Sequence, residues 1–222
     1  MASVGGDMAG DDRDDFGIGV PWDRKRRSGP RMGGMAKIGI ESDWLIGARR
    51  VHSPNQDVRP IPASEIDLLV IHSISLPPGS FGGGYIEQFF CNQLDANAHP
   101  YFQEISRLRV SAHLLIYRTG DTVQFVPFNQ RAWHAGESQY QGRSSCNDFS
   151  IGIELEGTDK TPYAETQYVK LAEVTLSLFR TYPRLLPARI VGHSEIAPER
   201  KTDPSPSFDW TLYRSLLRGL SE

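Results

Sequence analysis

The feature that most constrains the fold is the largely apolar run IDLLVIHSI at residues 66–74. It is far shorter than a membrane span, and the Pro- and Gly-rich segment SLPPGSFGGGY follows it directly. Such runs are typical of a strand that is buried on both faces, as in a parallel sheet covered by helices. We therefore expect a sheet with a layer of structure on each side.

Further segments supply the neighbouring strands. SAHLLIYR and TVQFVPF flank the turn sequence TGD, which predicts a hairpin, and IVGH predicts a short strand. FSIGIELEG alternates strictly, which predicts a strand with an apolar face of Phe, Ile and Leu residues. The opposite face carries Ser150, Gly152, Glu154 and Glu156.

Helices are predicted between these strands. YIEQFFCNQL reads as a short helix, and apolar residues recur at helical spacing from 168 to 182, just before Pro183. A last helix is predicted from Trp210 to Leu220. Strands mixed with hairpins and helices predict an α/β fold with a central mixed β-sheet flanked by helices.

The N-terminal residues 1–41 have a different composition. They are rich in Gly, Asp and Arg, and an acidic block, GDDRDD, precedes the basic block DRKRR. This composition predicts a disordered tail. It is also consistent with translation that starts later, at Met32 or Met35. The remainder, 42–222, has the length of one catalytic domain.

Charge and cysteine usage limit the classes of partner. A net charge of −3 over 222 residues gives no general reason to expect nucleic acid or an anionic membrane as partner, and we expect a monomer. No apolar segment of the secretory type follows the basic block, so we expect a cytoplasmic protein. Cys91 and Cys146 are then expected to be free thiols.

Three residues suggest a metal site. His72 and His193 occur where buried strands are expected to give way to loops, and such positions commonly line sites in α/β sheets. Asp203 follows ten residues after His193. Two imidazoles and one carboxylate are a common ligand set for catalytic zinc, which keeps a fourth position for water. The alternatives are a hydrogen-bonded core histidine at 72 and a turn residue at 203, before Pro204.

Two further residues could perform chemistry beside such a metal. Glu154 shares its strand face with the small residues Ser150 and Gly152, which would let a ligand approach the sheet closely, and its carboxylate could act as a general base. Lys201 precedes Asp203 by two residues, so its ammonium could stabilise negative charge on a substrate oxygen. The alternatives are a solvent-facing strand residue and a surface lysine.

The loop RAWHAGESQYQGR at 131–143 and two histidines complete the candidates. The aromatic and Arg residues of the loop suit a sugar or a peptide carboxylate, or they could simply anchor the loop. His113 and His134 could support a metal ligand or form structural hydrogen bonds.

Four long segments carry a resemblance to a known family. WLIGARRVHSPNQDVRP, LLVIHSISLPPGSFGG, the segment from LRVSAHLLIYR to IELEGTD, and VGHSEIAPERKTDPSPSFDW resemble the AmpD family of zinc N-acetylmuramoyl-L-alanine amidases. The resemblance runs from about Asp43 to Trp210 and beyond. It implies the fold of phage T7 lysozyme and the peptidoglycan recognition proteins. It also implies cleavage of 1,6-anhydro-muropeptides in cytoplasmic peptidoglycan recycling, with an indirect effect on β-lactamase induction.

The resemblance also implies roles for individual residues. It implies a Zn²⁺ ion on His72, His193 and Asp203, with Glu154 as the catalytic carboxylate and Lys201 assisting it. Substrate contacts are implied for Arg109, Trp133, Tyr101 and Ser73.

Ser73 is a departure, because the family often has Asn there, and Ser reaches less far. The catalytic Tyr of some relatives is replaced near SAH by Ala112 or His113. The competing functions are a non-catalytic muropeptide-binding module and an autolysin that acts on intact cell wall.

Overall fold

A computed structural model describes residues 38–204 and 206–221 of the chain. Of the predicted tail, residues 1–41, the first 37 residues therefore lie outside the described residues. Residues 38–41, at the end of that segment, pack against the domain: the backbone carbonyl of Ile38 accepts hydrogen bonds from Ser177 and Arg180. Ile40 belongs to a strand that pairs with the next one.

The described part of the chain contains twelve strands and five α-helices. The strands are β1 Ile40–Glu41, β2 Trp44–Leu45, β3 Arg49–Arg50, β4 Gln56–Val58, β5 Leu68–Ile74, β6 Leu114–Ile116, β7 Thr122–Gln124, β8 Gln130–Ala132, β9 Gln139–Tyr140, β10 Arg143–Ser144, β11 Ser150–Glu156 and β12 Ile190–Gly192. The helices are α1 Tyr85–Phe90, α2 Pro100–Ile105, α3 Glu165–Thr181, α4 His193–Ile196 and α5 Trp210–Ser221.

The central sheet has six strands in the order β12-β5-β11-β6-β7-β3. The first four run parallel, and β6 pairs antiparallel with β7 through the predicted TGD hairpin. The sheet is therefore mixed, as the sequence predicts. The long strands β5 and β11 lie side by side at its centre, and both are buried almost throughout.

Alternation along the strands divides the core into two layers. Ile151, Ile153 and Leu155 of β11 face α3 and α5 in one apolar cluster. On the other side of the sheet, a second cluster is formed by α1, α2 and the inner residues of β6 and β7. This arrangement explains why the apolar run at 66–74 is continuous: β5 has a covered face on each side.

Several element boundaries differ from the sequence prediction. The predicted helix YIEQFFCNQL ends at Phe90, because Asn92 takes a left-handed conformation with φ of 60°. Helix α2, which begins with Pro100 and is capped by the side chain of His99, has no counterpart in the prediction. Helix α3 ends at Thr181 before Pro183, as predicted.

Two observations bear on predicted partners and chemistry. Among the described residues, none of the helices combines the length and the apolar character that crossing a bilayer requires. Cys91 and Cys146 are both free thiols, and Cys146 is buried in the core, as the sequence predicts for isolated cysteines.

Candidate metal centre and active site

The predicted metal ligands come together at the carboxyl end of adjacent parallel strands. His72 lies inside β5, two residues before its end, so the prediction that it ends the strand is wrong. His193 follows β12 and is the first residue of the short helix α4, where a loop was predicted. Asp203 lies in the next loop, and its backbone carbonyl accepts a hydrogen bond from Ser194 in α4.

The three side chains present a compact set of donor atoms. Nδ1 of His72 lies 3.0 Å from Nδ1 of His193 and 3.2 Å from Oδ2 of Asp203. The distance from Nδ1 of His193 to the same oxygen is also 3.2 Å. Both histidines are buried, and the Asp203 carboxylate is largely covered. Two imidazole nitrogens and a carboxylate oxygen at this spacing form a group that could hold a metal ion.

Burial keeps His72 in the form that a metal requires. Desolvation lowers the pKa of His72 to about 4, against the opposing influence of the Asp203 carboxylate. The imidazole is therefore neutral at physiological pH, and a neutral imidazole has a lone pair free for a metal.

Glu154 lies next to this group on the neighbouring strand. In the parallel pairing of β11 with β5, Glu154 is the register partner of His72, so both side chains stand on the same face. Glu154 is 9% exposed, and its Oε2 atom is buried without a hydrogen-bond partner. Burial, and then the nearby Asp203 charge, raise the pKa of Glu154 well above its ordinary value. An unpartnered buried carboxylate at a cavity is a candidate for proton transfer.

Lys201 lines the same cavity as this group and is partly buried. Its positive charge acts on both Glu154 and His72, lowering the pKa of each. Its backbone N–H is fixed to the carbonyl of Ala197 in the turn that follows α4. Lys201 is therefore a cation directed at the metal group.

These residues line one cavity of about 860 Å³. Ser73 and Tyr101, two of the four predicted substrate residues, are part of its lining. The described lining does not include Arg109, which is exposed and contacts only nearby backbone carbonyls, at 3.2 to 3.5 Å. Nor does it include Trp133, whose indole hydrogen-bonds to Asp57. Substrate contacts by these two residues stay predictions.

One detail of the sequence interpretation is wrong. The small residues Ser150 and Gly152 do not leave space for a ligand, because the ring of His134 occupies it. A Cβ atom on Gly152 would lie 2.4 Å from that ring, and Nε2 of His134 lies 3.2 Å from Oγ of Ser150. The glycine thus permits a histidine, rather than a substrate, to approach the sheet.

The remaining polar candidates have structural partners. Nδ1 of His113 accepts a hydrogen bond from the backbone of Gly152, and its Nε2 atom lies 2.9 Å from the buried guanidinium of Arg59. Glu156 faces inward, not to solvent, and its two oxygens accept hydrogen bonds from the backbone N–H groups of Gly82 and Arg118. Glu156 therefore anchors the Gly-rich loop that follows β5.

The sequence analysis missed part of the cavity wall. The segment 157–161 and Arg200 both line the cavity. Arg200 also donates hydrogen bonds to the backbone carbonyls of Ala135 and Glu137, at 2.8 and 2.7 Å, and so ties the loop 131–143 to the loop that carries Asp203. Neither the segment 157–161 nor Arg200 belongs to a periodic pattern or a motif from which the sequence could have predicted its position. The pairing of Arg200 with those carbonyls depends on chain folding over more than sixty residues.

Comparison with known proteins identifies the family. The family model described as N-acetylmuramoyl-L-alanine amidase matches residues 62–206, a range that contains the three-residue metal group, Glu154 and Lys201. The chain belongs to the N-acetylmuramoyl-L-alanine amidase family. The amidase class implied by the sequence resemblance is thereby confirmed.

Individual amidases of this family are similar over most of the folded chain. The chain is 57% identical over 178 residues to the 1,6-anhydro-N-acetylmuramyl-L-alanine amidase AmpD of Escherichia coli K12, which covers 80% of this chain and 96% of that protein. A crystal structure of a selenomethionine AmpD derivative matches with a TM-score of 0.77 at 57% identity, covering 80% of this chain and 98% of that one.

A more distant structure of the amidase AmiD from E. coli is a complex with the substrate anhydro-N-acetylmuramic acid-L-Ala-D-gamma-Glu-L-Lys. It matches with a TM-score of 0.51 at 26% identity, covering 81% of this chain and 65% of that one. The central mixed sheet with flanking helices is thus the amidase fold that the sequence implied.

Proposed function

We propose that this protein is a zinc-dependent amidase that hydrolyses the amide between 1,6-anhydro-N-acetylmuramic acid and L-alanine in muropeptides. The observation that carries the proposal is the placement of Glu154, with an unpartnered oxygen, as register partner of His72 in the three-residue metal group. The names of the AmpD relatives and the substrate in the AmiD complex support the choice of substrate.

Zinc suits this group better than calcium or magnesium, because two of the three donors are imidazole nitrogens rather than oxygens. His72, His193 and Asp203 would hold the ion, as in other hydrolytic zinc sites with three protein ligands. Zinc held there would polarise the scissile carbonyl and would lower the pKa of water to about 7.

Glu154 performs the proton transfers in the proposed mechanism. Its Oε2 atom takes a proton from the water that attacks the amide carbon, so the weak nucleophile becomes effective. The same oxygen then delivers that proton to the alanine nitrogen as the carbon–nitrogen bond breaks. A buried carboxylate whose pKa is raised suits both steps, since it holds a proton more readily than a solvated carboxylate does.

Lys201 stabilises the negative charge that develops on the carbonyl oxygen during the attack. The partly buried position of the side chain strengthens this interaction, since less water screens it. The cavity around these groups holds the sugar and the peptide, with Ser73 and Tyr101 available as contacts in its lining.

We further propose that the protein acts in the cytoplasm on muropeptides released during peptidoglycan recycling. A free, soluble fragment is a suitable substrate for a monomeric enzyme without nucleic acid or membrane partners. Removal of such fragments would indirectly affect β-lactamase induction, as the family resemblance implies.

The decisive experiment combines metal analysis with an assay. The purified protein is incubated with 1,6-anhydro-muramyl tripeptide, and release of the tripeptide is followed by mass spectrometry before chelation, after chelation and after zinc is restored. We expect one zinc per chain and a release that chelation stops and zinc restores. Zinc binding without release would instead indicate a muropeptide-binding module. Faster action on intact cell wall than on the anhydro-fragment would indicate an autolysin.

A further inference from the structure

A chain of hydrogen bonds leads from His72 away from the metal group into the core. Nε2 of His72 lies 2.9 Å from Nδ1 of His134. On the far side of that ring, Nε2 of His134 lies 3.2 Å from Oγ of Ser150. Ser150 in turn donates to the backbone carbonyl of Cys146 at 2.6 Å. All three side chains of this hydrogen-bond chain lie in the interior: Ser150 is fully buried, His72 is almost fully buried, and His134 is 9% exposed.

The last link determines the direction of every other link. A carbonyl can only accept, so the hydroxyl proton of Ser150 is directed at Cys146, and Oγ accepts from Nε2–H of His134. A neutral imidazole has one N–H, which leaves a lone pair on Nδ1 of His134. Nε2 of His72 must therefore carry the proton that it donates there. The Nδ1 atom of His72 is left with its lone pair toward His193 and Asp203.

The second metal histidine, His193, is held by Ala135, the residue that follows His134 in the chain. Nε2 of His193 lies 3.1 Å from the backbone carbonyl of Ala135, which can only accept, so this nitrogen carries the proton. The lone pair of His193 is then also on Nδ1, the atom that faces Asp203. Two consecutive residues, His134 and Ala135, thus engage the outer nitrogens of both histidines.

This two-residue segment is itself held firmly. The backbone N–H groups of His134 and Ala135 both donate to Oδ1 of Asn147, at 3.1 and 2.8 Å. The His134 ring packs against Gly152, where a Cβ atom would lie at 2.4 Å. The carbonyl of Ala135 also accepts a hydrogen bond from Arg200.

We propose that His134 and Ala135 act as a positioning segment that fixes the tautomer and the ring orientation of both metal histidines, so that each directs its Nδ1 lone pair at the ion. The proposal rests on the zinc site proposed above. A partner on the outer nitrogen of a metal-binding histidine orients the ring and raises its basicity, and losing such a partner typically reduces metal affinity about 10- to 100-fold.

The tautomers can be tested in the zinc-bound wild-type protein. Two-dimensional ¹H–¹⁵N spectra of the histidine side chains distinguish a protonated Nε2 from a protonated Nδ1 at pH 7.5. We expect His72, His134 and His193 all to carry the proton on Nε2 in the zinc-bound protein. A proton on Nδ1 of His72 or His193, or rapid exchange between the two forms, would overturn the proposal.

Metal affinity provides the second test, measured by competition with a fluorescent zinc chelator. His134→Leu removes the acceptor for His72, and we expect zinc affinity to fall about 10- to 100-fold. His134→Asn should recover most of it, since Oδ1 of asparagine can replace Nδ1 of the imidazole as acceptor. His113→Asn is the control, because His113 is also buried and packs edge-on against His134, but its ring nitrogens bond to Arg59 and to backbone groups rather than to a metal ligand; its zinc affinity should match the wild type.

The outcomes separate this inference from the proposed function. If the wild-type protein binds no zinc, the proposed function fails. If the wild type binds zinc and His134→Leu binds it equally well, only the positioning role is wrong. Equal losses of zinc affinity in His134→Leu, His134→Asn and His113→Asn would mean that the substitutions damage the core in general, and the positioning role would be wrong. Should His134→Leu not fold, the tautomers of the wild-type protein still decide the question.

Discussion

Glu154 and His72 are register partners on the adjacent parallel strands β11 and β5. Their side chains stand on the same face of the sheet, so the distance between the proposed base and a metal ligand is set by the spacing of two hydrogen-bonded strands. Rigid elements hold catalytic geometry better than loops do. The base is thus fixed relative to the metal group by the centre of the sheet.

Replacing Glu154 by Gln should separate metal binding from catalysis. The substitution keeps the shape of the side chain but removes the oxygen that accepts the proton. We expect kcat for tripeptide release to fall about 10²- to 10⁴-fold, with zinc content unchanged. Steady-state kinetics and metal analysis of the same preparation measure both quantities.

Glu156→Gln is the matched control for this substitution. Glu156 lies on the same strand face and is similarly buried, but its oxygens accept from the backbone of Gly82 and Arg118. Its replacement should reduce stability more than kcat. A near-normal kcat in Glu154→Gln would rule out Glu154 as the base.

Lys201→Ala should reduce kcat about 10²- to 10³-fold, the usual effect of removing a group that stabilises an oxyanion. Affinity for zinc should change little, because Lys201 is not a ligand. Lys170→Ala serves as control, since Lys170 forms an ion pair with Glu173 on the surface of α3. An unchanged rate in Lys201→Ala would reduce this residue to a surface lysine.

Arg109 and Arg107 offer a matched pair for the predicted substrate contact. Both are exposed and lie two residues apart, but only Arg109 is implicated by the family resemblance. We expect Arg109→Ala to raise KM for the anhydro-muramyl tripeptide about tenfold with kcat preserved, as for a lost binding contact. Arg107→Ala should leave KM unchanged. Equal KM values in the two variants would remove Arg109 from the substrate site.

The zinc-free protein should lose stability as the pH falls. Burial lowers the pKa of His72 to about 4, from 6.5, and holds the pKa values of His113 and His134 well below that ordinary value. The unfolded chain then binds more protons than the folded one in this range. These groups therefore contribute stability that is fully present above about pH 6.5 and is lost as the pH falls through about 4.

Urea denaturation of the zinc-free protein between pH 7.5 and 4.5 measures this dependence. The free energy of unfolding should decrease steadily below pH 6.5. In His113→Asn, which removes one of the titrating groups, the decrease should be shallower. A constant free energy of unfolding between pH 7 and 5 would mean that these imidazoles are not buried in neutral form.

The sequence alone predicted the central features of the fold and the metal group. The apolar run at 66–74 and the alternation at 149–157 require a sheet that is covered on both sides, since each pattern has only one way to bury its apolar residues. His72 and His193 could be selected because they were expected where buried strands give way to loops, and such positions commonly line sites in α/β sheets. Glu154 was selected from the polar face of its strand, and Asp203 from its position ten residues after His193.

What only the tertiary structure decided is how the other polar residues divide between support and chemistry. Glu156 and Glu154 are equivalent in sequence pattern, but the fold supplies backbone donors to one and leaves an oxygen of the other without a partner. The small side chain of Gly152 predicted that a ligand approaches the sheet closely, but the group that packs there is the His134 ring. Such partners come from segments distant along the chain, and local pattern contains no information about which distant group satisfies a buried polar atom.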